Sequence, residues 1–279
     1  MTAEGLAAIG ALTTPMRVTN IPGKGGAVAF AKVVESMHGD EGVIVAASPS
    51  TVLGLAQSRF GRQSEQSVRW IAAVAAEPSV VAVRVDAPWR NLGELVRAWR
   101  AHPDRVGTGG ASVIGGQDHM KVLMLARRAG IDVRAVRYTS FSTPVDALAA
   151  LESGQIQVFP GDVSEVQALV AEKKLRVLAV LGETRATGVL ADVATAREQG
   201  VDVTWLVWRG FYAPPGISEE AYARWVDVLT RMSQSPYWKS LLTRNGLSAY
   251  SVSGKAFEAF LHQETAAYRA LSREIGVVP

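Results

Sequence analysis

Apolar and polar positions along this chain switch between helical and strand periods, and the switches outline its elements. Glu4 to Leu12 reads as a short helix and Met16 to Asn20 as a strand. The turn Ile21-Pro-Gly-Lys-Gly-Gly26 follows, and Ala27 to Met37 has helical periodicity. Val43-Ile-Val-Ala-Ala47 is a short buried strand ending in the polar loop Ser48-Pro-Ser-Thr51. Ile71 to Ala75 and Val80 to Val85 read as two further strands. Between Asn91 and Ala101, Leu92, Leu95, Val96 and Trp99 share one face of an amphipathic helix. Arg105 to Gly107 is a strand, Gly107 to His119 a glycine-rich loop, and Met120 to Gly130 an apolar helix. Arg127 and Arg128 suit the negative end of that helix, and Gly130 suits its C-terminal cap.

The alternation continues with a strand from Val133 to Tyr138 and the polar loop Thr139-Ser-Phe-Ser142. Thr143-Pro144 is an N-cap followed by proline at the first helical position, opening a helix through Glu152 that stops at Gly154. Ile156 to Phe159 is a strand, Ser164 to Ala171 a helix and Leu175 to Leu181 a strand. Val203 to Tyr212 is extended. The tail is helical: one helix capped by Ser218, one by Ser235 before Pro236, and a long one from Lys255 to Glu274. Strands alternating with helices argue for an α/β fold with parallel sheets. Ligands of such sheets sit beyond the carboxyl ends of strands, where Ser48 to Thr51, Gly107 to His119 and Thr139 to Ser142 would lie. No long linker, repeat or low-complexity tract interrupts the pattern, which favours two lobes joined by more than one crossover.

Composition narrows the function classes. The chain has 279 residues, 48% hydrophobic and 20% charged, enough for a substantial core. Its net charge is only +3, and the basic residues are scattered, so no nucleic-acid partner is expected. Without cysteine there is no disulfide and no thiol chemistry. No apolar run is long enough for a membrane helix. The N-terminus lacks the basic start of a secretory signal. The four histidines have no metal spacing, so neither a metal nor a cofactor is expected.

The chemistry concentrates around the glycine-rich loop. Glycine lets backbone approach a ligand closely, and the helix that follows aims unpaired N–H groups and a positive dipole end at whatever sits there. This stretch is either an anion cradle or a loop that only turns a corner. Asp118 is a helix cap or a ligand contact. His119 contacts ligand or bonds a nearby carbonyl. Asp162 bonds ligand or holds a loop. Trp205, Trp208, Phe211 and Tyr212 are core at strand spacing, or Trp208-Arg209-Gly210 reaches a cleft, and Arg209 pairs a carboxylate or forms a structural ion pair. Ser112 lacks the second glycine of a nucleophile elbow, since Ile114 stands there. A hydrolase or transferase using Ser112 and His119 remains the enzymatic alternative, and its mark would be a carboxylate orienting the histidine. A ligand sensor serving some partner other than a permease is another alternative.

Several segments in order carry a resemblance: Asn20-Ile-Pro-Gly-Lys-Gly-Gly26, Gly109-Gly-Ala-Ser-Val-Ile-Gly-Gly-Gln-Asp-His119 and Ala147-Leu-Ala-Ala-Leu-Glu-Ser-Gly-Gln155. Lys174-Leu-Arg-Val-Leu-Ala-Val180, Arg197-Glu-Gln-Gly-Val-Asp202 and Trp208-Arg-Gly-Phe-Tyr-Ala-Pro-Pro-Gly-Ile-Ser218 continue it, and Ser235-Pro-Tyr-Trp-Lys-Ser and Arg244-Asn-Gly end it. With these the chain resembles the tripartite tricarboxylate transporter receptors, or Bug receptors, from about Val18 onward, most closely the tricarboxylate-receptor branch. The resemblance implies a two-lobed Venus-flytrap fold of the type II periplasmic-binding-protein class, with residues 1–87 and 209–279 forming lobe 1 and 88–208 lobe 2. It implies a non-enzymatic, monomeric periplasmic receptor. Such a receptor holds a small organic anion, a di- or tricarboxylate or similar, between its lobes and delivers it to a membrane permease. Ser48, Ser50 and Thr51 would contact ligand from lobe 1. Gly110, Ser112, Gly115, Gly116, Gln117, Asp118, His119, Thr139, Ser142, Asp162 and Ser164 would do so from lobe 2. The chain departs from the family at its start. The residues before Asn20 leave room for part of the first helix but not for the family's first strand and glycine-rich loop, so lobe 1 is expected to lack its N-terminal strand. Gln117 also replaces a common small hydroxyl residue, and Thr139 to Ser142 lacks the usual glycines.

Overall fold

A computed structural model describes residues 1–11 and 15–278. The chain divides into two compact units: Met1–Ala76 with Trp208–Leu271, and Glu77–Val207 with Ser272–Pro279. Among the described residues no helix is long and apolar enough to cross a membrane.

Unit 1 is built on strands β1 (Val45–Ala47), β6 (Leu206–Ala213), β7 (Ser248–Ser253) and the first half of β2 (Arg69–Arg84). β1 runs antiparallel to β6, with Val45 opposite Tyr212 and Ala47 opposite Gly210. β7 runs antiparallel to β2, with Ala72 opposite Ser253 and Ala76 opposite Ser248. Backbones close tightly here: a Cβ on Gly210 would sit 2.6 Å from the carbonyl oxygen of Ala72. Helices α1 (Thr2–Ala8), α2 (Ala27–Ser36), α3 (Pro49–Ala56), α8 (Glu219–Gln234), α9 (Pro236–Arg244) and α10 (Gly254–Glu274) belong wholly or mainly to this unit. Leu6, Ile71, Val74, Leu229, Met232, Trp238 and Leu241 form one core cluster. Trp70, Trp208, Tyr212 and Phe257 meet edge to face in another, the geometry that ring quadrupoles favour. Trp238 anchors α9 by donating its indole N–H to the carbonyl of Val74 at 2.8 Å.

Unit 2 contains the second half of β2, β3 (Gly107–Gly110), β4 (Arg137–Ser140) and β5 (Leu175–Leu181). Its helices are α4 (Leu92–Ala101), α5 (Gln117–Arg128), α6 (Pro144–Glu152) and α7 (Val163–Ala171). β2 pairs antiparallel with β5 over Ser79–Arg84, and β3 pairs parallel with β4. Val80, Leu148, Leu151, Phe159, Val166, Leu175 and Val180 form its core cluster. Local chemistry sets the helix starts. Asn91 accepts the Glu94 N–H at 2.9 Å, and Thr143 accepts that of Asp146 at 3.2 Å. Ser218 and Ser235 do the same for α8 and α9.

The structure corrects several expectations. The β1–β6, β2–β5 and β2–β7 ladders are antiparallel, whereas β3–β4 is parallel. The two strands expected at 71–75 and 80–85 are one strand. Pro78, which cannot donate to a ladder, falls between the segment paired with β7 and the segment paired with β5. Met16 to Asn20 forms no strand: its β-prone residues find no partner, and Val18 is 78% exposed. Ile156 to Phe159 is reduced to isolated bridges, Val158 to Thr108 and Phe159 to Ala82. Arg137, not Val133, begins β4, because Val133–Ala135 is a 3-10 turn capped by Asp132. The first helix is shorter than expected, and Leu12 lies outside the described residues.

Candidate functional site

The glycine-rich stretch splits into three parts. Gly107–Gly110 is strand β3, which glycine permits because a Cβ on Gly109 would lie 2.8 Å from Phe141 and 2.9 Å from the Thr139 carbonyl oxygen. Residues 111–116 form the loop. Helix α5 then starts at Gln117, three residues before the apolar period begins, with Gly116 as its N-cap. Gly110, Gln117, Asp118 and His119 therefore belong to the strand end and the first helical turn, not to the loop itself.

Ser112 organises this corner. The Asp118 N–H donates to its Oγ at 3.0 Å, so Ser112 caps α5 from outside the helix. The Tyr138 hydroxyl donates to the Ser112 carbonyl at 3.0 Å, Ser140 Oγ donates to the same carbonyl at 2.9 Å, and Tyr138 and Ser112 hydroxyls lie 3.1 Å apart. The loop is thus tied to β4. Gly110 and Gly116 allow the closure: a Cβ on Gly110 would lie 2.6 Å from Asp118 Cβ, and one on Gly116 would lie 2.8 Å from Ser112 Cβ. Gly115 sits at φ +77°, the left-handed region where a side chain is strained.

The amides of this corner fall into two sets. Ala111 N–H serves the Asp118 carboxylate, Gly115 N–H serves His119 Nδ1 at 2.9 Å, and Gly116 N–H serves the Val113 carbonyl at 2.7 Å. Among the described residues, the N–H groups of Ser112, Val113 and Ile114 make no hydrogen bond. Three successive free amides on one loop make a place for an acceptor, such as a carboxylate oxygen.

His119 packs its ring on Tyr138, with centroids 4.7 Å apart. Burial lowers its pKa to about 4, so it is neutral at pH 7. Because Nδ1 accepts from Gly115, the neutral ring carries its proton on Nε2. Ser112 and His119 therefore form no nucleophile–base pair: the serine is engaged by an amide and a phenol, and among the described residues no carboxylate orients the imidazole.

Beneath the loop lies a buried ion cluster. Lys121, with a fully buried side chain, donates to Asp162 Oδ1 at 2.7 Å, Asp118 Oδ1 at 3.1 Å and the Pro160 carbonyl at 3.1 Å. Burial opposes its charge, but Asp162 and then Asp118 outweigh burial and raise its pKa. Burial pushes Asp118 up against the pull of Lys121. Ser79 Oγ donates to Asp162 at 2.7 Å, and Asp162 caps α7 in a reciprocal box with Glu165. Burial, then the charge of Asp162, raises Glu165 to about 7. Asp118 and Asp162, expected to meet ligand, are occupied by Lys121. Sequence reasoning misses that lysine, because a single lysine in an apolar helix reads as a surface residue. The available signal is Asp118 three positions before it, an i,i+3 partner on the same face.

The remaining expected residues are dispersed. Thr139 is an exposed position of β4, Ser142 is exposed just beyond it, and the Ser164 N–H donates to buried Glu77 at 2.8 Å. In unit 1, Ser48 to Thr51 is no loop. Ser48 is the N-cap of α3, Pro49 its first residue, and Ser50 and Thr51 lie in its first turn. Ser48 and Thr51 line a cavity of about 410 Å³ together with Arg209, Phe211 and Trp238.

This architecture is the fold of periplasmic solute-binding proteins. The malate-bound MatC of Rhodopseudomonas palustris matches with TM-score 0.81 and 21% identity, covering 97% of this chain and 91% of that one. The adipate-bound Rpa4515 of R. palustris matches with TM-score 0.86 and 17% identity, covering 98% and 90%. In sequence, a UPF0065 protein of Bordetella pertussis is 24% identical over 272 residues, 96% of this chain and 82% of that protein. The profile of the tripartite tricarboxylate transporter family receptors matches residues 1–277, and the chain belongs to that family. Family and fold are those of solute receptors, not of enzymes.

Proposed function

We propose that this chain is a monomeric periplasmic receptor that captures a small carboxylate and delivers it to a tripartite tricarboxylate-type permease. The observation that carries the reading is the Ser112–Ile114 run of unbonded amides, held in place by Ser112, Tyr138 and Ser140. Such a loop binds by fixed dipoles, and the Nε2–H of neutral His119 adds a donor. Malate in MatC and adipate in Rpa4515 are both carboxylates, which supports the ligand class. Titration calorimetry of the whole chain against mono-, di- and tricarboxylates tests the reading. Saturable binding by one class is expected, and Ser112→Ala should weaken it about tenfold by loosening the loop. Absence of heat and of thermal stabilisation with every acid overturns it.

A further inference from the structure

Arginines scattered along the sequence are gathered by the fold of unit 2. Three segments meet at the end of the unit where β3 and β4 begin: residues 100–105, residues 127–137 and residues 272–278. Arg100 donates through Nε to the Ala129 carbonyl. Arg137 donates through Nη1 to the Asp104 carbonyl at 2.7 Å, and Arg127 through Nη1 to that of Glu274 at 3.0 Å. The 12 residues of α5, about 18 Å of helix, carry Arg127 and Arg128 away from the amide loop.

These segments hold seven arginines and no lysine against three acids, Asp104, Asp132 and Glu274. Their net charge is +4, where the whole chain carries +3. Asp132 is taken by Arg134 at 3.1 Å, and Glu274 by Arg127 at 2.7 Å. Arg100 and Arg137 donate to neutral carbonyls, which leave their charge unbalanced. Arg105, Arg128 and Arg273 are exposed and, among the described residues, make no ion pair. Helix C-termini attract cations, which accounts for Arg100, Arg127, Arg128 and Arg273 but not for Arg105 or Arg137. A protein interface would need an apolar core, and none of the large exposed apolar side chains among the described residues stands on these segments. A plane of phosphates needs no such core, and the planar guanidinium fork matches phosphate.

From this convergence of unbalanced arginines on one polar face we infer that unit 2 rests on a surface of anionic phospholipid headgroups, held by guanidinium–phosphate contacts. The attraction is electrostatic and reversible, because no apolar side chain of the face enters the hydrocarbon. It goes beyond ligand capture and does not depend on it. For a receptor that serves a permease, it keeps the protein beside the membrane where its partner sits.

Flotation of the whole chain with vesicles tests this, using phosphatidylglycerol and phosphatidylcholine in equal parts against phosphatidylcholine alone. Binding to the anionic vesicles alone is expected. It should weaken at least about tenfold between ~0.01 M and ~0.15 M salt, as the Debye length falls from about 30 to about 8 Å. Arg105→Gln with Arg128→Gln should weaken it about fivefold per charge, or about 25-fold for the pair. Lys32→Gln with Lys239→Gln removes the same charge from exposed positions of unit 1 and should leave binding within about twofold. Far-UV circular dichroism checks that both double variants fold. Equal losses from the two pairs, equal binding to neutral vesicles, or no binding to either overturns the inference. So does retention on immobilised oligoaspartate without vesicle binding, which assigns the face to an acidic protein instead. Carboxylate titrations should be unchanged in Arg105→Gln with Arg128→Gln, so this inference and the receptor reading fail separately.

Discussion

At the scale of single residues, Lys121 has the most to lose. Its ammonium is wholly buried between Asp162 and Asp118. Replacing it with methionine keeps the volume but strands two carboxylates in a dry interior, which costs about 3–5 kcal/mol. Urea denaturation should show a loss of that size for Lys121→Met, partly recovered when Asp118→Asn and Asp162→Asn are added. Two other residues give stability opposite slopes with pH. His119, lowered to about 4, makes the unfolded chain the better proton binder between pH 6.5 and 4, so its contribution is lost as pH falls through that window. Glu165, raised to about 7, makes the folded chain the better binder between pH 4.5 and 7, so its contribution is lost as pH rises. In Glu165→Gln, stability should therefore fall more steeply on acidification from pH 6.5 to 4. In His119→Asn it should fall more steeply from pH 4.5 to 7. Of this chemistry, Ser112, Asp118 and His119 can be picked out from one motif because glycine and a helix start mark the place. Lys121 cannot, because its burial depends on Asp162, which arrives from a distant part of the chain.

At the scale of elements, the loop before α5 is held by one hydroxyl and one left-handed glycine. Ser112→Ala removes the acceptor for the Asp118 N–H and should cost about 1 kcal/mol, as for other N-cap losses. Gly115→Ala, at φ +77°, should cost a further ~1–2 kcal/mol through backbone strain. Both are measurable as shifts in the denaturation midpoint. Helix starts are the most legible elements, because Asn91, Thr143, Ser218 and Ser235 act on amides three residues away. Ser48-Pro49 carries the same signature as Thr143-Pro144 and reads as a loop only because another serine follows it. Strands are less legible, since a strand exists only with a partner. Met16 to Asn20 has the composition and, among the described residues, no paired strand, whereas polar Ser248–Ser253 becomes β7 because β2 lies beside it.

At the scale of the whole molecule, a ligand that binds only the folded receptor adds RT ln(1 + [L]/Kd), about 2.7 kcal/mol at a hundredfold excess over Kd. Scanning calorimetry with the preferred acid should raise the transition by several degrees, and Ser112→Ala should reduce the rise at equal ligand concentration. The α/β class follows from alternating periodicities, but strand direction does not, since it is fixed by contacts far apart in sequence. Local patterning splits β2 at Glu77-Pro78, where turn-forming chemistry dominates the signal. In the folded chain that break is bridged: the residues before Pro78 pair with β7 in one unit and those after it with β5 in the other. A fragment ending at Ala76 and one beginning at Glu77 would each own half a ribbon and expose a raw margin of amides and carbonyls. Expressed alone, either piece should be prone to clumping.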